Sequence, residues 1–140
     1  MTDVQKAAML LAQSDLSLVL CKNEELITAS KTGISPLVEL VESGAELSGY
    51  SAADKIVGRA AALLFVLSGV RTLHAQVLSK GAEDILQKHG IEYTYDRLCD
   101  HIINRDGNAP CPMEQATAGI DDPAAALQAV KQKLSQLKKG

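Results

Sequence analysis

"VRTLHAQVLSKGAEDILQKHGIEYTY", residues 70–95, is the stretch whose reading decides the fold. Residues 70–79 are rich in β-formers and read as a strand. "KGAEDILQKHG" follows as a short helix closed by Gly90, because glycine accepts the left-handed backbone at a helix end. "IEYTY" (91–95) then reads as a second strand. A strand, a short helix and a strand joined by loops of about two residues make a βαβ unit, so the two strands are expected to be parallel. That places the chain among α/β proteins.

Outward from this unit, the rest of the chain supplies further elements. Thr2 caps a first helical face made by Val4, Ala7, Ala8 and Leu11. "LSLVLC" (16–21) and "ELITAS" (25–30) are short β-rich runs joined by "KNE", a hairpin. "SPLVELVES" carries Ser35 at the capping position, Pro36 at the first helical position and Gly44 past its end. "SAADKIVGRAAALLFVLSG" reads as one helix over 51–68, capped by Ser51 with Asp54 three residues on. From Ile56 to Leu67 it is apolar almost all round, broken only by Arg59, so it is expected to be buried on most faces.

Residues 96–121 are expected to be a long connection with at most about one turn of helix, and such connections are usually functional or mobile. Asp122-Pro123 opens a last helix with Leu127, Val130, Leu134 and Leu137 on one stripe. The order α-β-β-α-α-β-α-β-loop-α predicts a three-layer α-β-α domain over residues 1–140, with helices on both faces of a mixed sheet of about four strands.

Composition narrows the function classes. The chain has 140 residues, 46% of them hydrophobic, yet only one Phe, three Tyr and no Trp, so the core is aliphatic. A net charge of −3 leaves no electrostatic footprint for nucleic acid. Scarce aromatics also argue against a base-stacking surface. No run reaches about 18 apolar residues, so no membrane span is expected. The acidic start "MTDVQKAAMLLAQSD" does not resemble a signal peptide. Cys21, Cys99 and Cys111 are odd in number and far apart, which suits reduced thiols and a cytoplasmic location.

"SPLVELVESG", "ADKIVGRAAALL", "HGIEYTY" and "IINRDGNAPCPMEQ" together resemble a small bacterial domain family of uncharacterised function with a cytidine-deaminase-like fold. The resemblance spans roughly residues 10 to 135, and it implies the fold without implying the reaction. Deaminase chemistry needs zinc held by one His or Cys and two Cys, with a Glu shuttling protons. On this reading the H-x-E position holds Ala53-Asp54-Lys55 and the P-C-x-x-C position holds Ser79-Lys80-Gly81-Ala82. Neither offers a thiolate or an imidazole, so no metal and no cofactor is expected. "HAQ" (74–76) lies inside a strand and has Gln where the shuttle belongs. "PCPME" (110–114) has Glu114 in place of the second thiol and follows the wrong strand, and structural zinc wants four ligands.

The remaining candidates are loop and helix-end groups. Asp54 and Lys55, read at a helix N-terminus, would stand at an anion site, although Asp54 serves equally as a cap. Arg59 adds charge one turn on. Gly58 inside that helix costs about 1 kcal/mol against Ala, which implies that something approaches the backbone there. Ser30, Lys31, Thr32 and Gly33 could cradle a phosphate, or Gly33 could simply make a turn. Asn104 and Arg105 sit in a turn-forming "NRDG", where Arg105 could clamp a phosphate. Cys111 is a thiol in need of a nearby cation for activation, and Glu114 follows it in the same loop.

The expected function is therefore a nucleotide-binding module for a nucleotide-like small molecule of the ADP-ribose kind, with Asp54 able to carry an ADP-ribosyl ester. A non-zinc enzyme using Cys111 with Asp54 or Glu114 is the alternative. Assembly into a homo-oligomer through the last helix or the strand edges is the third.

Overall fold

A computed structural model describes residues 1–103 and 111–139. The elements are α1 (Asp3–Ala12), β1 (Leu18–Lys22), β2 (Glu25–Ala29), α2 (Ser35–Glu42), β3 (Ser51–Val57), α3 (Arg59–Ser68), β4 (Thr72–Ser79), α4 (Lys80–Lys88), β5 (Glu92–Cys99), α5 (Pro112–Thr117) and α6 (Pro123–Lys139). Five strands pair in the order β2-β1-β3-β4-β5. β1 runs antiparallel to both β2 and β3, while β3, β4 and β5 are parallel. The βαβ reading over 70–95 is thus β4-α4-β5.

The sheet has a layer on each face. Leu37 and Val38 of α2, Ala60 to Phe65 of α3, Ile85 and Leu86 of α4, and Val130 of α6 pack on one face with Leu20, Ala52 and Leu73. Ala7 and Leu11 of α1 pack on the other with Val19, Cys21 and Ala53. This is the three-layer α-β-α arrangement, with five strands where about four were expected.

The extra strand is the main correction. Residues 51–57, read as the first turns of one long helix, are β3, and the helix starts only at Arg59. Ala52 and Ala53 are both fully buried and point to opposite layers. Helices press on both sides of this central strand, and small side chains permit that approach. Ala-Ala-Asp-Lys is a good helical string in isolation, but pairing with β1 and β4 decides its conformation.

Thr2 caps α1 as its position implies, accepting from the Gln5 N–H at 3.2 Å while the Gln5 side chain takes the Thr2 N–H at 2.9 Å. Asn23, at φ 57°, turns the β1-β2 hairpin, a conformation that Asn tolerates better than most residues. At α2 the capping position is Ile34 rather than Ser35, and Ser35 and Pro36 are the first helical residues. β5 continues to Cys99, beyond the expected end at 95. The expected turn of helix in the long connection is α5.

Candidate functional site

The parallel strands β3, β4 and β5 all end at one edge of the sheet, and open α/β sheets collect ligands beside that edge. Two cavities adjoin there. The outer one, about 390 Å³, is lined by Arg59 at the start of α3, by Ser79, Lys80 and Gly81 at the start of α4, and by Asp100, His101, Ile102 and Glu114. The inner one, about 110 Å³, is lined by Gly33 and Ile34, by Asp54, Ile56 and Gly58 along β3 and its end, by Ala60 and Ala61 of α3, and by Ile102, Cys111, Met113 and Glu114. Ile102 and Glu114 form a wall common to both.

Glu114 decides the geometry of this wall. Gly58 occupies the capping position of α3 and has no side chain with which to satisfy the first helical N–H groups. Glu114, 55 residues on, does so instead: both carboxylate oxygens accept from the Arg59 N–H, at 2.8 and 3.0 Å. A Cβ at position 58 would overlap Glu114 Oε1, and would lie 2.7 Å from Cδ and 3.0 Å from Ile102 Cγ1. Glycine is what lets the carboxylate reach the backbone, so Glu114 is the group that approaches Gly58. Burial pushes the Glu114 carboxyl above the usual range, against the opposing pull of the Arg59 and Ala60 N–H groups and of the Arg59 and His101 charges.

Asp54 stands in β3, not at a helix N-terminus. Its side chain is half-buried and lines the inner cavity. Desolvation raises its pKa to about 7, against the backbone N–H groups of Lys55 and Ile56, which favour the charged form. A carboxyl in this state changes protonation near neutrality. Lys55, next along the strand, lines neither cavity.

The Arg59 guanidinium is committed elsewhere. Nε donates to the Thr117 carbonyl at 3.2 Å, and Nη2 donates to the Ile120 carbonyl at 2.6 Å and to Asp121 Oδ1 at 2.5 Å. Arg59 thereby ties the α5–α6 connection to the start of α3. It walls the outer cavity while its charge is spent on protein groups.

Of the "SKTG" residues only Gly33, at φ 87°, reaches a cavity. Ser30, Lys31 and Thr32 are exposed, and the Lys31 carbonyl accepts from Ser17 Oγ at 2.6 Å. Cys111 opens α5, its N–H bonded to the Ile102 carbonyl at 3.0 Å, and it shares the inner cavity with Asp54. Asn104 and Arg105 lie outside the described residues.

Ser79, Lys80 and Gly81, read from sequence only as the place where zinc thiolates would be sought, line the α4 end of the outer cavity, although none of them was named as a binding residue. Ser79 Oγ accepts from the Ala82 N–H at 3.1 Å, and Lys80 pairs with Asp100 at 2.9 Å with both side chains exposed to solvent. The capping Ser79 was a visible signal for this end, but His101 and Ile102 carry no local pattern. The correction at β3 also moves the positions at which zinc ligands would be sought. The helix after the hairpin begins Ile34-Ser35-Pro36 and the helix after the third strand begins Gly58-Arg59-Ala60. Among the described residues no three His, Cys, Asp or Glu side chains come together as a metal site. None of their helices is long and apolar enough to cross a membrane.

The family TM1506, a domain of unknown function (DUF1893), matches residues 6–134. The crystal structure of a DUF1893 family protein (TM1506) from Thermotoga maritima superposes with a TM-score of 0.86 at 28% identity, covering 95% of this chain and 91% of that one. An apo dCMP deaminase from the cyanophage S-TIM5 gives a TM-score of 0.45 at 16% identity, over 69% of this chain and 94% of that one. No curated protein matches the sequence.

Proposed function

The chain belongs to the DUF1893 family, and from that premise we propose that it is a binding module for a nucleotide-type small molecule, held in the paired cavities at the ends of β3, β4 and β5. The observation that carries this reading is the Asp54 carboxyl inside the inner cavity, with a pKa of about 7. Half-buried and poised between two protonation states, it can donate or accept a hydrogen bond, as a base edge or a ribose hydroxyl requires. Ile34, Ile56 and Met113 around it offer apolar contact to a flat ring. The outer cavity supplies room for a phosphate beside Lys80, His101 and the first turn of α4. Its volume of about 390 Å³ falls in the range of small-ligand pockets.

Thermal unfolding in the presence of AMP, ADP and ADP-ribose tests this. A ligand at 100 times its Kd adds about 2.7 kcal/mol of stability. Asp54→Asn and Lys80→Ala are expected to reduce the shift while leaving the fold intact. No shift with any of the three, or a shift that survives both substitutions, sinks the reading. Intact-mass measurement of the purified protein checks for an ADP-ribosyl adduct, which would be expected on Asp54.

A second reading, an enzyme with Cys111 as nucleophile and Asp54 as its acid–base partner, is favoured by their shared cavity. Its weakness is electrostatic: among the described residues no Lys, Arg or His lines that cavity to stabilise a thiolate. Glu114, the other partner considered, is occupied with α3.

A further inference from the structure

The sheet ends on two edge strands, β2 and β5. β2 has five residues, and so short an edge is itself a protection against pairing. β5 has eight, Glu92 to Cys99, with no proline or glycine to interrupt a ladder. Among the described residues no strand lies beside its outer edge, and Thr94, Tyr95, Asp96 and Arg97 are all exposed. We propose that β5 pairs antiparallel with β5 of a second copy of this chain, about a twofold axis at Tyr95, so that the two sheets become continuous.

Charge selects the register. A twofold axis sets residue i of one copy opposite residue j of the other with a constant sum, and side chains share a face only when that sum is even. The axis therefore passes through a residue position. Centred on Thr94, it sets Glu92 of each copy against Asp96 of the other. Centred on Asp96 it opposes the two Asp96 carboxylates, and centred on Arg97 the two guanidinium groups. Like charges directly opposite are destabilising. Centred on Tyr95, no like charges meet: Tyr95 lies opposite Tyr95, Thr94 opposite Asp96, Tyr93 opposite Arg97 and Glu92 opposite Leu98.

The two faces of β5 suit addition at the edge. On the α4 side the Tyr93 hydroxyl donates to Glu83 at 2.9 Å and accepts from Gln87 at 2.8 Å, whereas Tyr95 remains 41% exposed. An aromatic pair across strands is among the contacts that stabilise a sheet. On the opposite side His74 bonds Thr94 at 2.7 Å and Asp96 at 3.2 Å. α1 packs there on Val19, Cys21 and Ala53, so it covers β1 and β3. The part it leaves open at β5 is polar, which suits water better than a further stacked layer.

Sedimentation velocity and cysteine cross-linking test this together. The unaltered protein is expected to sediment as a dimer. Tyr95→Lys sets two ammonium groups against each other at the axis and is expected to give a monomer with unchanged circular dichroism. Directly opposite Cα atoms in an antiparallel pair are about 4.5–5.5 Å apart, within disulfide reach. Diagonal positions are about 7–8 Å apart, outside it. Under mild oxidation Tyr95→Cys should therefore link to itself about tenfold faster than Thr94→Cys or Asp96→Cys does. Mixing the Thr94→Cys and Asp96→Cys proteins should restore fast linkage. The unaltered chain, with Cys21, Cys99 and Cys111 free, sets the background rate. A monomeric unaltered protein overturns the proposal. A dimer that survives Tyr95→Lys also overturns it, because another surface would then hold the copies. Equal linkage rates from the three cysteine variants do the same, and that readout stands whether or not Tyr95→Lys folds.

Discussion

The carboxylate of Glu114 and the backbone N–H of Arg59 are joined at 2.8 and 3.0 Å, so a residue of α5 completes the first turn of α3 across 55 positions of sequence. A hydrogen bond to a charged group contributes about 1.5–3 kcal/mol net. Glu114→Ala is therefore expected to lower stability by about 1–3 kcal/mol in urea unfolding at pH 7. Gly58→Ala should cost a similar amount because the added Cβ meets the carboxylate. At φ −100° alanine is unstrained there, so the cost would come from the contact alone. A Gly58→Ala variant as stable as the parent would show that the carboxylate is not held against the backbone.

This relationship also marks where the sequence could be read and where it could not. β4-α4-β5, the hairpin and α1 were legible because their signals are local: runs of β-formers, short polar turns, a capping Thr before an apolar helical face. β3 was not, because Ser51-Ala52-Ala53-Asp54 has a helix-start pattern and its strand state comes from pairing with β1 and β4. The start of α3 was also hidden, since its cap lies in α5. Gly58 was visible as an exception within an apolar run, but its partner could not be named from sequence. At the site, Asp54, Gly33, Cys111 and Glu114 do line one cavity, whereas Lys55, Ser30, Lys31 and Thr32 line neither. Strand register and loop course decide that division, and spacing along the chain does not reveal it.

Arg59 is expected to act on the α5–α6 connection. Its guanidinium holds the Thr117 and Ile120 carbonyls and Asp121. Arg59→Ala should destabilise by about 2–3 kcal/mol, since hydrogen bonds from a charged donor are the stronger kind. Amide exchange should quicken around residues 117–121 before it quickens in β3 and β4. Asp121→Asn should have a much smaller effect, because the Asp121 side chain is 63% exposed and water screens the pair. Equal effects of the two substitutions would place the weight on the ion pair and not on the carbonyls.

All three cysteines are free thiols in this structure. Thiol counting under denaturing, non-reducing conditions should find three. In the native protein Cys21 should react last: it is fully buried, and burial together with the Asp3 carboxylate holds its thiol above the usual range. A count of one thiol, or a Cys21 that reacts as fast as Cys111, would contradict this arrangement.

Asp54 should leave a signature in the pH dependence of stability. Its folded pKa, about 7, lies above the ordinary value of 3.8, so between about pH 4 and pH 7 the native state binds a proton that the unfolded state has released. Stability then falls as pH rises through that window. The loss is complete only above the folded value. A tenfold difference in proton affinity between the folded and unfolded chains is worth about 1.36 kcal/mol, and the half-buried position reduces the total to about 2–4 kcal/mol. Glu114, also raised, acts in the same direction, while the lowered carboxyls of Asp100 and Asp121 act in the opposite one. The difference between parent and Asp54→Asn isolates the one group, because Asn keeps the shape and an acceptor for the Lys55 and Ile56 N–H groups but cannot ionise. The two proteins should be equally stable to within about 1 kcal/mol at pH 4. The variant should gain on the parent as pH rises to 7 and hold a constant lead beyond it. Urea unfolding at closely spaced values from about pH 4 to pH 8 reads this directly. Parallel curves would mean that Asp54 ionises at its ordinary value, and the neutral-range proton on which its binding role depends would be absent.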